Sequence, residues 1–228
     1  MKEYVLITGG SSGLGLELVR EALSRGFDVC NMSRDPRKIE AMRAAFPERF
    51  TAFAGDLTDP DHVAASVKAL SEQGRIRMLI NCAERGVFRS PAEYTPEDLE
   101  VSLQGLRGMA LTTAAVLRCT GERDLTVVNV LSSAARKGKP KEALYCAAKW
   151  GERGYTEALK AAYAGTSVRI IATYPSGMNT PFWDTSRDYV SAEKAEIFLD
   201  PADVARQILG NALLPDGEYT DEQIILRT

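Results

Sequence analysis

The chain reads as a single α/β domain, a doubly wound parallel sheet of about seven strands with helices on both faces. Three observations predict it. Short apolar runs alternate with stretches of helical period from end to end; the first run passes straight into a glycine-rich turn; and no linker, internal repeat or low-complexity tract breaks the pattern across residues 1–228. Alternation of this kind implies right-handed crossovers and strands buried on both sides. With 228 residues, 45% of them hydrophobic, there is ample material for one core.

The first strand is Tyr4-Val5-Leu6-Ile7, and Leu14, Leu18, Val19 and Leu23 recur at helical spacing behind it. A second apolar strand follows at Phe27-Asp28-Val29-Cys30-Asn31-Met32. Later strands are expected over 51–54, 78–81, 127–132, 168–173 and 223–226, and helices over 60–72, 96–118, 143–163 and 201–214. In a sheet of this class a dinucleotide crosses the carboxyl ends of the strands at the switch point.

Thr8-Gly9-Gly10-Ser11-Ser12-Gly13-Leu14-Gly15 joins the first strand to the first helix. Free N–H groups and the dipole at a helix start attract phosphate, and glycines let it approach the backbone. A tight turn alone would also explain the glycines, so the rest of the chain must decide. About twenty residues on, the second strand ends in Ser33-Arg34, where a carboxylate would grip the ribose of NAD. Serine removes repulsion against a 2′-phosphate and Arg34 can pair with it, with Arg37 and Lys38 adding to the field, so the chemistry favours NADP. The alternative is that Arg34 is a solvated charge at a strand end.

Tyr145 and Lys149 stand four residues apart on one helix face, and Ser132 closes an apolar strand upstream. A free phenol has a pKa of ~10, and a neighbouring cation favours its ionised form. Ser132 would hydrogen-bond a substrate oxygen and hold it against the phenol. An ordinary surface pair has the same spacing; the surrounding motifs give this one its weight.

With these motifs in order, the chain resembles the short-chain dehydrogenase/reductase family over almost its whole length. Gly9, Gly13 and Gly15 look like that family's fixed glycines, Asp56 like its adenine contact, and Tyr174-Pro175-Ser176-Gly177-Met178-Asn179-Thr180 like the stretch that holds the carboxamide. Ser132, Tyr145 and Lys149 match the catalytic serine, tyrosine and lysine, with Ser133 as the second choice of serine. The resemblance implies NADP contacts from Gly9, Ser11, Ser12, Gly13, Leu14, Gly15, Ser33, Arg34, Asp56, Leu57, Asn81, Ala83, Tyr145, Lys149, Pro175, Met178 and Thr180, the lysine through the nicotinamide ribose. It also implies a homodimer or homotetramer assembled around residues 96–118 and 143–163.

Two positions depart from the family pattern. Asn81-Cys82-Ala83-Glu84 carries a glutamate where a glycine is usual, a charge expected to repel a phosphate or to turn toward substrate. Gly105 stands where an asparagine usually supports a water relay to the lysine, reducing a tetrad to a triad. Gln104 is about 100° away around the helix and substitutes poorly.

The remaining chemistry is sparse. The formal net charge is −3, and no nucleic-acid partner is expected; no apolar run resembles a signal peptide or a membrane span, so a cytoplasmic protein is expected. Cys30, Cys82, Cys119 and Cys146 lack metal-ligand spacing and are expected as thiols. No metal site is expected. His62, the sole histidine, falls in the first turn of a surface helix and receives no chemical role. Arg136-Lys137-Gly138-Lys139-Pro140-Lys141 reads as a solvated loop, or as a basic rim to the pocket. Met178, Phe182, Trp183 and Tyr189 form a short apolar lid segment. The sequence therefore points to an NADP(H)-dependent oxidoreductase interconverting a small-molecule carbonyl and its alcohol, with a non-catalytic nucleotide-binding regulator or scaffold as the alternative.

Overall fold

A computed structural model describes residues 2–121, 123–185 and 197–226. Seven parallel strands, β1 (Glu3–Thr8), β2 (Asp28–Ser33), β3 (Phe50–Ala54), β4 (Arg75–Asn81), β5 (Leu125–Val130), β6 (Val168–Pro175) and β7 (Glu222–Ile225), form one sheet in the order β3-β2-β1-β4-β5-β6-β7. The order reverses between β1 and β4, which places the switch point beside the glycine-rich turn. Between the strands run α1 (Gly13–Ser24), α2 (Pro36–Ala45), α3 (Pro60–Gln73), α4 (Pro96–Thr120), α5 (Ala143–Ala162) and α6 (Pro201–Ala212).

Successive strand side chains alternate between two cores. Val5, Ile7, Val29, Ile80 and Val128 pack under α1 and α6 through Leu18, Val19, Val204 and Ile208. Tyr4, Leu6, Cys30, Leu79 and Val127 pack on the other face under α3 and α4 through Val63, Val67, Leu70 and Val116. Because both faces are covered, the strands read as continuous apolar runs, as expected.

Four helices begin on one two-residue device. Asp35, Asp59, Thr95 and Asp200 each accept first-turn backbone N–H groups, and each is followed by a proline at the first helical position. The α2 helix escapes the periodicity reading, since Ile39 and Met42 are its buried residues. His62 falls in the first turn of α3 as expected, but its ring lies over Gly55, where a Cβ would sit 2.3 Å from Nε2. No helix among the described residues is long and apolar enough to cross a membrane.

Candidate active site

A cleft of about 570 Å³ opens across the carboxyl ends of the strands. Its floor is the glycine-rich turn, whose shape follows from close packing. A Cβ on Gly9 would lie 2.7 Å from Ala83 Cα, and one on Gly15 would lie 2.2 Å from Gly9 O, while Gly9 and Gly13 hold positive φ of 72° and 53°. Two side chains unmarked by the sequence reading lock this turn. The Asn31 amide, fully buried on β2, accepts from Gly10 N at 2.8 Å; the Thr8 hydroxyl accepts from Cys82 N at 3.0 Å and Ala83 N at 3.2 Å, tying the β1 and β4 loops together.

Ser12 precedes α1 without a side-chain cap, so the first-turn N–H groups beside Ser11, Ser12, Gly13, Leu14 and Gly15 face the cleft with no acidic side chain in that turn. This is an anion cradle. At the far end lie Ser33, Arg34 and Lys38, and also the carboxylate of Asp35. Its Oδ1 accepts from Arg37 N at 2.9 Å, so the carboxylate is committed to capping α2. Asp56 and Leu57 line the same end; the Thr58 backbone N–H at 2.8 Å, and then the Thr58 hydroxyl and Arg34, outweigh burial and hold the Asp56 carboxyl below its usual range.

Ala83, Pro175, Met178 and Thr180 line the cleft, whereas Asn81 does not. Its amide is buried and donates to Asn129 Oδ1 at 2.8 Å and to Thr113 Oγ1 at 3.0 Å, so its side chain braces strands and not a ligand.

Ser132, Tyr145 and Lys149 converge on the wall formed by the end of β5 and the first turns of α5. The Ser132 hydroxyl lies beside the phenol of Tyr145 on this wall and favours its ionised form. Ser133, which does not line the cleft, accepts from Lys139 Nζ at 3.2 Å, and Lys139 brings the basic loop to the rim of the cleft. Phe88 and Phe182 stand over the Tyr145 ring at 5.2 and 5.8 Å between centroids, and Trp183 packs on Phe88 at 5.1 Å and stacks on Phe198 at 5.4 Å. Phe88 and Phe198 join the apolar wall that Met178, Phe182 and Trp183 led us to expect; Tyr189 lies outside the described residues.

Lys149 departs most from expectation. Its Nζ lies 2.7 Å from Glu152 Oε2, 2.6 Å from Glu84 Oε2 and 3.2 Å from Val130 O, and its side chain is 3% exposed. The ammonium hydrogen-bonds Glu152 Oε2 and Val130 O and meets Glu84 Oε2 as an ion contact, so it is held by two carboxylates and not by solvent. Glu84 lines the cleft with its carboxylate folded onto Lys149, for which Gly105 leaves room, a Cβ there falling 2.5 Å from Glu84 Oε1. Burial alone would lower the Lys149 ammonium, but Glu152 and Glu84 hold it well above its usual range. Burial also pushes the Tyr145 phenol up; Lys149 pulls it down as expected, with Ser132 helping, but Glu84 and Glu152 oppose them. The phenol is therefore a proton carrier at neutral pH, not a phenolate. Cys82 beside this cluster is pushed by burial up to about 12 and stays a thiol.

Among the described residues no group of histidine, cysteine and carboxylate side chains could hold a metal ion. Over residues 3–190 the chain matches the family model described as short chain dehydrogenase. It is 26% identical over 238 residues to 2,3-dihydroxy-2,3-dihydro-p-cumate dehydrogenase of Pseudomonas putida, covering 98% of this chain and 92% of that one. Among solved structures it is similar to the closed form of serine dehydrogenase complexed with NADP+ (TM-score 0.91, 20% identity, 98% and 94% covered). It is also similar to a substituted actinorhodin polyketide ketoreductase with NADPH (TM-score 0.86, 25% identity, 98% and 95% covered). The family match, the sheet order and the converging serine, tyrosine and lysine agree: this chain belongs to the short-chain dehydrogenase family of oxidoreductases.

Proposed function

We propose that the protein is an NADP(H)-dependent oxidoreductase that reduces a partly apolar carbonyl compound to its alcohol. The observation that carries this reading is that Ser132, Tyr145 and Lys149 line the same cleft as an uncapped, glycine-rich helix start and Arg34.

The residues present fit a nicotinamide dinucleotide. Gly9, Ser11, Ser12, Gly13, Leu14 and Gly15 would hold the pyrophosphate, Arg34 and Ser33 the 2′-phosphate, Asp56 and Leu57 the adenine, and Ala83, Pro175, Met178 and Thr180 the nicotinamide end. The cofactor supplies hydride to the carbonyl carbon. Ser132 orients the carbonyl oxygen, Tyr145 gives it a proton, and Lys149 acts on Tyr145 through its charge. The phenol of Tyr145 carries its proton at neutral pH, as a donor to a carbonyl oxygen must. Two fixed hydrogen-bond donors beside the developing alkoxide in a half-dry cleft stabilise it more than water would. Phe88, Phe182 and Trp183 at the mouth favour a substrate with an apolar body, and the ketoreductase with NADPH is a relative with the same class of chemistry in its name.

Tyr145→Phe tests the reading. Assayed with NADPH against a panel of aldehydes and ketones, it is expected to lose at least about a hundredfold in kcat while binding NADPH as the parent does. Equal turnover in the variant excludes Tyr145 as the proton donor, and tight NADPH binding without turnover of any carbonyl favours the nucleotide-binding regulator.

A further inference from the structure

The wall behind Tyr145 holds more acid than an ion pair needs. Glu84 comes from the loop after β4 and Glu152 from α5, and both reach one ammonium from different elements. Their side chains are 9% and 1% exposed. One ammonium cannot neutralise two ionised carboxylates, and like charges this close and this dry do not both persist.

The hydrogen-bond pattern shows where hydrogen is missing. Glu152 Oε2 accepts from Lys149 and Glu84 Oε1 accepts from Arg85 N at 2.8 Å. Glu84 Oε2 touches the ammonium only as an ion contact, outside hydrogen-bonding angles, and Glu152 Oε1 has no donor. Both Oε2 atoms converge on the one Nζ, at 2.6 and 2.7 Å, and two acceptors side by side can bond to each other only if one carries a proton. Gly105 completes the arrangement, since any side chain there would occupy the space of the Glu84 carboxylate.

We propose that Glu84 and Glu152 share a single proton as one carboxyl pair, that the pair positions Lys149 and resupplies Tyr145 with a proton after each transfer, and that Gly105 is glycine to admit it. The resupply rests on the reductive reading above; the pair itself does not. Burial, and then Glu84, push the Glu152 carboxyl well above its usual range against the pull of Lys149, which agrees with a retained proton. The other ionisable groups facing the pair are Tyr145, Lys149 and Cys82. The proton path closes. With hydride added to the carbonyl carbon from the reduced nicotinamide, the C=O π electrons move onto oxygen and take the phenolic proton of Tyr145. Through an intervening hydroxyl or water, the tyrosinate draws a proton from Lys149, whose Nζ stands 6.0 Å from the Tyr145 ring centre and whose N–H electrons remain on nitrogen; the pair protonates the amine and becomes two carboxylates. One solvent proton, entering at the cleft beside Glu84, restores it. Glu84 and Glu152 are thus positioning residues acting through Lys149.

Infrared spectroscopy of the purified protein, without cofactor or substrate, tests the pair. A buried protonated carboxyl gives a C=O stretch apart from the ionised carboxylates and shifts in D2O. We expect such a band in the parent and its loss in both Glu84→Gln and Glu152→Gln. Its absence from the parent, or its survival in either variant, overturns the pair. Should Glu152→Gln fail to fold, Gly105→Ala, which expels the Glu84 carboxylate without touching Glu152, must abolish the band.

Glu84→Gln also separates proton supply from support. It preserves size and the cluster's net charge, because a proton-sharing pair and a lone Glu152 each carry one negative charge, but removes the transferable proton. A roughly tenfold fall in kcat for carbonyl reduction with a larger solvent isotope effect and an unchanged KM for NADPH supports resupply; an unchanged kcat overturns it. A parent that shows the band but turns over no carbonyl refutes the oxidoreductase reading alone, and one that turns over without the band refutes the pair alone.

Discussion

Arg34 is exposed at the end of β2 with Lys38 beside it, and the neighbouring Asp35 carboxylate is occupied by backbone N–H groups of α2. Arg34 is thereby free of that carboxylate, as the proposed contact with a 2′-phosphate requires. Replacing it by alanine is expected to weaken NADPH by about 1.5–3 kcal/mol and to leave NADH nearly unchanged, because a hydrogen bond to a charged group is worth that much; titrations with the two cofactors measure it, and equal losses would remove Arg34 from phosphate recognition. Single residues were unevenly legible. Ser132, Tyr145 and Lys149 stood out because their chemistry has a fixed spacing along one strand end and one helix face. Glu152, three residues past Lys149, did not, since a glutamate–lysine pair at that spacing is ordinarily solvated and nothing in the spacing reports burial. Glu84 was visible as an oddity, but its direction depends on the void at Gly105, which belongs to another element.

At the scale of elements, α4 carries a glycine in its interior, which costs roughly 1 kcal/mol relative to alanine. The cost is accepted here because an alanine Cβ would stand 2.5 Å from Glu84 Oε1. The sign of the substitution should therefore depend on residue 84. Gly105→Ala is expected to lower the unfolding free energy in the parent and to raise it by up to ~1 kcal/mol on a Glu84→Ala background, as read by chemical denaturation of all four proteins. The same sign in both backgrounds would show that Glu84 is not what the glycine accommodates. Most elements could be read from the chain because strands such as β1 and β5 are covered on both faces and appear as unbroken apolar runs. The α2 helix could not, because Ile39 and Met42 alone are buried and most of its length faces solvent. Its clearest local mark is the Asp35-Pro36 start it shares in kind with α3, α4 and α6.

For the whole molecule, Leu99 and Leu103 on α4 and Trp150 on α5 are about half exposed, at 49%, 50% and 49%. Leu99 and Leu103 are one helical turn apart, and α4 packs beside α5, so large apolar side chains stand on two neighbouring helices that the sequence reading assigned to subunit assembly. A dimer is expected in solution by light scattering, and Leu103→Glu combined with Trp150→Glu is expected to give a folded monomer; a parent that is monomeric at all concentrations rules this interface out. Inside the sheet, Asn129 donates to Thr156 of α5 at 2.9 Å and accepts from Asn81 of β4 at 2.8 Å, an unbroken polar strut from one strand through another to the helix that bears Tyr145 and Lys149. Such a brace sets the distance between hydroxyl and phenol when the chain folds. An arriving ligand then finds a stiff mould and has only to displace solvent from it.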